Sequence, residues 1–431
     1  MFGFQWLARL RRNEKGNVLF IGAACMPLFL GAAGLGVDTV QLALWKRQIQ
    51  RAADSAAIAG ALTKTQDAAL RTGVMNDLDE HISLDVEESE VPPLLGDPTI
   101  LLGSFAAGEL STTQNCAERG VPNCFNEAVQ VELAAQKMMP FMSIFTGKPN
   151  VVRARATAAI DPDGDYCLIS LHNQNSPGIS AGGNSNLDMG CGLATNARGA
   201  SAINVFGSAE IDGSPAAAVG GISGQGKFTD GTEFQPYSSP VRDPFAGVKD
   251  PVLPQNCTQP LSVGKGFTDA APKELYPSSG CYTSWDIDGV AHLNPGTYYV
   301  NNGLFDLKGK LTGDNVTIIF MGDNSDWKQN AQSILDISAP KDGVYKNIAI
   351  FRDRNAAVKQ FKINGGAGIG VEGAIYGKTT DFWLGGNAEF TSNCLQIVAR
   401  VIEFRGGGTI RNTCVDDGFD SLQRDVVRLV A

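Results

Sequence analysis

The sequence predicts an α+β protein that is mainly β: an N-terminal transmembrane helix, a small α/β unit and a C-terminal right-handed parallel β-helix-like solenoid. Three observations carry this reading. The stretch Gly16–Val37, GNVLFIGAACMPLFLGAAGLGV, has no ionisable residue apart from the Cys25 thiol. Glycine fills 50 of the 431 positions, while charged residues make up only 19%. From Asp161 onward the same side-chain classes return every 20–24 residues, a period of stacked coils rather than of sandwiches with turns every ~8–12 residues. The expected divisions are a basic N-terminus at 1–17, a membrane span at 18–37, a helix with the small α/β unit at 38–160, and the Gly/Asn-rich solenoid at 161–431. A net charge of −10 argues against a nucleic-acid partner, because phosphate binding needs clustered Lys and Arg.

The 22 residues Gly16–Val37, rising 1.5 Å each in a helix, reach about 33 Å and match a hydrocarbon core of about 30 Å. A cleaved signal peptide would have a shorter apolar region, about 7–15 residues, so an uncleaved anchor is expected. Arg9, Arg11, Arg12 and Lys15 precede the span with only Glu14 opposing, which leaves the N-terminus in the cytoplasm and exports the rest. Pro27 is tolerable within such a helix. Beyond the span, Leu42, Trp45, Ile49, Ala52, Ala56 and Ala59 continue at 3/4 spacing. That stripe suits a helix buried in the exported domain, or a seam for a partner helix.

These residues carry a resemblance. RRNEKGNVLFIGAACMPLFLGAAGLGVDTVQLALWKRQIQRAADSAAIAGA resembles the N-terminal region of TadG-like proteins of the Tad (tight adherence, Flp-type) pilus system. The shared features are the basic residues and EKGN before the span, the central proline, Gly36-Val37-Asp38 and the closing QRAADSAAIAGA. The resemblance implies a single-pass protein of the bacterial inner membrane, held through residues 18–37, with its C-terminal domain in the periplasm or at the cell surface. It implies the Tad/Flp pilus machinery as partner and a non-enzymatic assembly, adhesion or pilus-associated role. Two departures matter. The fifth position counted from Gly16 is Ile21, where a type IV prepilin carries Glu; and Asp336-Ile-Ser338-Ala-Pro340 lacks the second serine of the D-x-S-x-S motif found in many TadG-like von Willebrand A domains.

Residues 64–98 read as a helix followed by an acidic, proline-containing connection, DVEESEVPPLLGDP. Strands are expected at ILLGSFAAGEL and around Ala128–Ala134, a short helix at Pro140–Phe145, and an alternating strand at Val151–Ile160. Such a unit would stand the remaining chain off the membrane.

In the last part, ISAGGNSNLD from Ile179 aligns with INVFGSAEID from Ile203 at an offset of 24, which also carries Cys167 onto Cys191. FKINGGAGI, FWLGGNAEF and EFRGGGTI end at Ile369, Phe390 and Ile410, spaced by 21 and 20, and the last interval maps Cys394 onto Cys414. Equivalent positions on successive coils lie about 4.8 Å apart, inside the Cα range of about 4.4–6.8 Å for disulfides. The expected bridges are therefore Cys167–Cys191 and Cys394–Cys414, with Cys257–Cys281 added from its 24-residue interval alone and Cys116–Cys124 from proximity. Residues 213–290, rich in Pro, Gly and Ser, read as a long excursion across the surface.

Chemistry is sparse. Glycoside cleavage needs two positioned carboxylates; the pairs on offer are Asp188 with Asp212, expected at corners, and Glu389 with Glu403, expected on solvent faces of strands. Asp161-Pro-Asp163-Gly-Asp165 resembles a hard-cation loop without the remaining spacing of an EF-hand, and a domain-junction turn is expected there. His172 and His292 have no Cys/His partner at zinc spacing. The glycines from Gly365 to Gly370 belong to the repeat rather than to a nucleotide loop. Tyr298 and Tyr299 suit an aromatic ladder, or else a platform for a surface glycan. No cofactor and no catalytic residue is expected. The alternatives to an interaction role are a carbohydrate-binding surface module and a tethered polysaccharide lyase or hydrolase.

Overall fold

The computed structural model describes residues 17–65, 69, 94–255, 257–363, 368–387, 389–412, 419 and 421–431. The chain is mainly β, 45% strand, with one long apolar N-terminal helix and a parallel β-solenoid. It divides into two units: Met1–Asp161 with Val426–Ala431, and Pro162–Asp425. The last six residues thus join the first unit instead of closing the solenoid, because Val430 N–H donates to the Thr157 carbonyl at 2.8 Å and Thr157 N–H donates back to Ala431 at 2.6 Å.

In the first unit, helix α1 runs unbroken from Asn17 to Thr63 with Pro27 inside it. Among the described residues it is the one helix long and apolar enough to cross a membrane. Its outer half, from Gly34 on, repeats a buried stripe: Gly34, Asp38, Trp45, Ile49, Ala52, Ala53, Ala56 and Ala57. From Ile49 on, the stripe packs on an antiparallel sheet with β1 at Thr99–Ala106, β2 at Glu109–Ser111, β3 at Phe125–Lys137 and β4 at Asn150–Ser170. Strand β1 lies between β2 and β3, and β3 pairs with β4. Two short helices, α2 at Cys116–Arg119 and α3 at Met142–Thr146, lie in the connections on either side of β3. Val129, Val131, Leu133, Ala154, Ala156 and Ala158 meet α1. The chain's own sheet therefore occupies the face that could have served as a seam for a partner helix. Between β1 and β2, Ala107 and Gly108 take φ of 52° and 84°, the two left-handed residues of a tight hairpin. The 64–98 helix expectation falls largely outside the described residues.

In the second unit each full coil contributes three strand segments, and equivalent segments stack in parallel. One ladder runs Leu261, Trp285, Phe305 and Trp327, then continues through Phe361, Phe382, Ile402, Ile179, Ile203 and Ile222. All but the last are buried. Another carries Ala291, Leu311, Leu335, Ile369, Phe390, Ile410, Leu187 and Ile211. The offsets read from the sequence are thus real registers.

The stacking order, however, is not chain order. The chain enters in the middle: its first coil, through Leu168, Ile179 and Leu187, rises to a top coil at Ala216–Ala218 and Phe234–Gln235. It then drops to the opposite end at Leu261–Val263 and climbs coil by coil. The last coil slots under the first, with Ile397 beside Leu168, Ile402 beside Ile179 and Ile410 beside Leu187. A corner of four glycines, Gly386, Gly406, Gly183 and Gly207, crosses this junction without a break, at φ of 70°, 87°, 77° and 70°. Their backbones approach so closely that a Cβ on Gly183 would lie 2.6 Å from the Gly406 carbonyl oxygen.

The expected excursion over 213–290 is correspondingly too long. Residues 216–235 form the top coil and 261–293 the lowest ones; only 236–260 is a strap. Val241 exchanges two 2.8 Å hydrogen bonds with the Asn196 side chain. Lower down, Arg354 donates to the carbonyls of Val248, at 2.7 Å, and Phe245. Val241, Phe245 and Val248 cover an apolar outer face that includes Ile319, Phe351 and Tyr376.

Candidate functional site

At the base of the first unit, the Asp38 carboxylate is fully buried beside the short helix α3. Phe141, at the N-cap, offers α3 no side-chain acceptor. Asp38 Oδ2 supplies it from another element, accepting from Phe141 N–H at 2.9 Å and Met142 N–H at 2.5 Å. Those are orphan donors of a helix start, and a carboxylate there also meets the positive end of the backbone dipoles. One turn earlier, Gly34 leaves room for the Phe141 ring, which a Cβ would strike. Gly34 and Asp38 therefore form a socket for residues 141–142. The sequence marked Gly36-Val37-Asp38 as recognisable but gave no role to its aspartate; the one available signal was a carboxylate set directly after an apolar span.

In the second unit, the junction of last and first coils carries His172, Ser176, Arg400 and Asp381. Arg400 Nη1 donates to His172 Nδ1 at 3.4 Å, so His172 Nε2 bears the proton and donates to Ser176 Oγ at 2.6 Å. Arg400 also pairs with Asp381. Burial, then the Arg400 charge, lowers the His172 pKa, against the opposing pull of Asp381. In a nucleophilic triad the ring accepts from serine and the carboxylate holds the ring. Here both connections are reversed, and the group ties Arg400 on one coil to the first coil above it.

The carboxylates considered for glycoside chemistry are distributed, not convergent. Asp188 and Asp212 are exposed neighbours at the ends of stacked strands rather than in corners. Asp188 lies beside Arg411, and Asp212 accepts from Thr229 Oγ1 at 2.9 Å. Glu389 and Glu403 sit on different ladders; Glu403 pairs with Arg405. Residues 161–165 are extended strand rather than a junction turn, with Gly164 at φ 65°. Asp161 pairs with Arg428 at 3.2 Å, and Asp165 accepts from Gln423 at 3.2 Å. Among the described residues no three or more His, Cys, Asp and Glu side chains gather at metal-binding spacing. His292 faces outward and bonds Thr312 at 2.9 Å.

Tyr298 is buried, donates its hydroxyl to the carbonyls of Leu275 and Asn294, and stands edge-on to Trp285 at 6.1 Å. Tyr299, its strand neighbour, points to the opposite face and joins the outer cluster. The two tyrosines therefore cannot form one platform. Three cysteine pairs are joined: Cys116–Cys124, Cys167–Cys191 and Cys257–Cys281, with Cα separations of 5.5, 5.7 and 4.9 Å. Cys394 is also disulfide-bonded, while Cys414 lies outside the described residues; Cys25 is free.

Together these features define a class: an apolar helix braced by a small antiparallel sheet, followed by a disulfide-linked parallel solenoid. Residues 16–64 match the family model Tad, described as putative Flp pilus-assembly TadE/G-like. No curated protein and no solved structure matches the chain. The matched stretch is α1 with its immediate flanks, and it contains Gly34, Asp38 and the alanine stripe. The chain thus carries a TadE/G-like N-terminal domain, and the role it supports is association with the Tad pilus.

Proposed function

We propose that this chain is a non-catalytic, single-pass inner-membrane component of the Tad/Flp pilus machinery, exporting its β-solenoid as a surface for protein contacts in assembly or adhesion. The observation that carries the reading is the TadE/G-like match on a helix whose first half is apolar and exposed while its second half is packed on its own sheet. The charge asymmetry before the span supports export of the C-terminal side. The solenoid offers partners a long, regular outer surface, and its dispersed carboxylates favour binding over hydrolysis.

Cross-linking the intact protein in its native envelope tests the assignment. Recovered neighbours should be Tad components; a set drawn wholly from outside that machinery would overturn it. Excising 162–425, while keeping the first unit and its C-terminal strand, tests the solenoid. Unchanged pilus assembly and attachment in that strain would remove the solenoid from the proposal.

A further inference from the structure

The short helix α3 is set where the apolar span ends, and its own surface is apolar. Ile144 and Phe145 are 75% and 71% exposed, and Met138 before them is 54% exposed. Exposed apolar side chains scattered singly need no explanation. Ile144 and Phe145 are adjacent in sequence, and their location is fixed: Phe141 is seated on Gly34, and the backbone at 141–142 is held by Asp38. Gly34 and Asp38 bracket the last turn of the 16–37 span, where Val37 is exposed as well. Lys148 follows α3 directly after its Gly147 cap and can extend its ammonium toward headgroups.

We infer that the 138–148 loop, with Ile144 and Phe145 at its tip, is a second membrane contact that enters the headgroup–acyl boundary of the outer leaflet beside α1. This rests on the anchor reading above. The occupant is lipid because Phe141, three residues before the exposed tip, is seated on Gly34 within the apolar span itself. Amphipathic segments at this boundary bury their apolar face about 5–10 Å deep. The consequence is that the first unit is held at two points rather than swivelling on one helix. In that arrangement Asp38 and Gly34 act as positioning residues for the loop.

The test uses the full-length protein with Phe145→Trp, an exposed position where the exchange leaves the fold intact, in phosphatidylcholine vesicles brominated near the headgroup or at the bilayer centre. Emission of the wild-type protein is subtracted to remove its native tryptophans. The expected result is flotation with the vesicles and loss of emission from the introduced indole, greater for headgroup-proximal bromine. Flotation with that emission unchanged, or with greater loss from central bromine, would overturn the interfacial contact and leave the anchor standing. Failure to float would overturn the anchor reading and the contact with it.

Discussion

Where α1 meets the sheet of the first unit, the buried residues are chiefly alanines: Ala52, Ala53, Ala56, Ala57 and Ala61 on the helix face Ala135, Ala154, Ala156 and Ala158 on the strands. Inside the solenoid the corresponding space is filled by Trp285, Phe305, Phe320, Trp327, Phe361, Phe382 and Phe390, with ring centroids 5.1–6.4 Å apart along the stack. The first core is thin, and its precision comes from close backbone approach; at Gly60 a Cβ would lie 2.9 Å from both Ala69 and Val129. The second is thick and depends on volume. A region that packs by proximity is damaged by added bulk, whereas one that packs by filling is damaged by removed bulk.

The largest effect should follow removal of bulk from the solenoid. Trp327→Ala is expected to cost about 3–5 kcal/mol, the usual range for an aromatic cavity, read as a lower denaturation midpoint by far-UV circular dichroism. A loss below about 1 kcal/mol would mean that the ladder is not a continuous core. Next, Ala56→Leu, at a fully buried helix position, should destabilise the first unit by about 1–3 kcal/mol through overpacking. It should speed amide exchange at 128–134 while leaving solenoid amides unchanged, and equal acceleration in both would break the contrast. Asp38→Ala should cost about 0.5–2 kcal/mol as a lost cap, and Asp38→Asn, which keeps an acceptor, should recover most of it. Exchange at the amides of 141 and 142 reports this directly.

Two smaller effects concern polar groups on the solenoid. The His172 pKa lies below its ordinary 6.5. As pH falls through about 6.5 the unfolded chain takes up a proton that the folded chain does not, so stability decreases down to the lowered folded value and then levels off. His172→Gln should flatten this part of the stability–pH curve, and an unchanged curve would remove His172 from the junction's acid response. Last, Lys308→Ala breaks pairs with Asp286 and Asp306 at a side chain 36% exposed. It should cost no more than about 1 kcal/mol, and less at high salt.

Much of this was legible in particular residues. The absence of charge from Gly16 to Val37 and the 3/4 stripe from Trp45 to Ala56 both correspond to α1. The alignments Ile179 with Ile203 and Ile369 with Phe390 are registers of adjacent strands, since a coil must return the same side-chain class to the same wall. What the residues did not disclose was which contacts cross between distant segments. Asp38 and Phe141 are 103 positions apart, and Arg354 meets Val248 over 106. Neither partner announces the other, because a carboxylate or a guanidinium can satisfy any backbone group that folding delivers.

The sequence by itself determined the long apolar helix, the period of the coils and the glycines at their corners, since each follows from local constraints: hydrophobic length, strand alternation and positive φ. Only the tertiary structure decided the order of the coils. Parallel rungs of similar size are interchangeable at the level of pattern, so nothing in the repeat forbids Ile402 from stacking on Ile179, although the two lie in different repeat sets. That choice is made by long-range contacts: the strap over Asn196, Tyr376 and Arg354 returns the chain from top to bottom. The clamp of Arg400 on His172 then helps hold the last coil beneath the first.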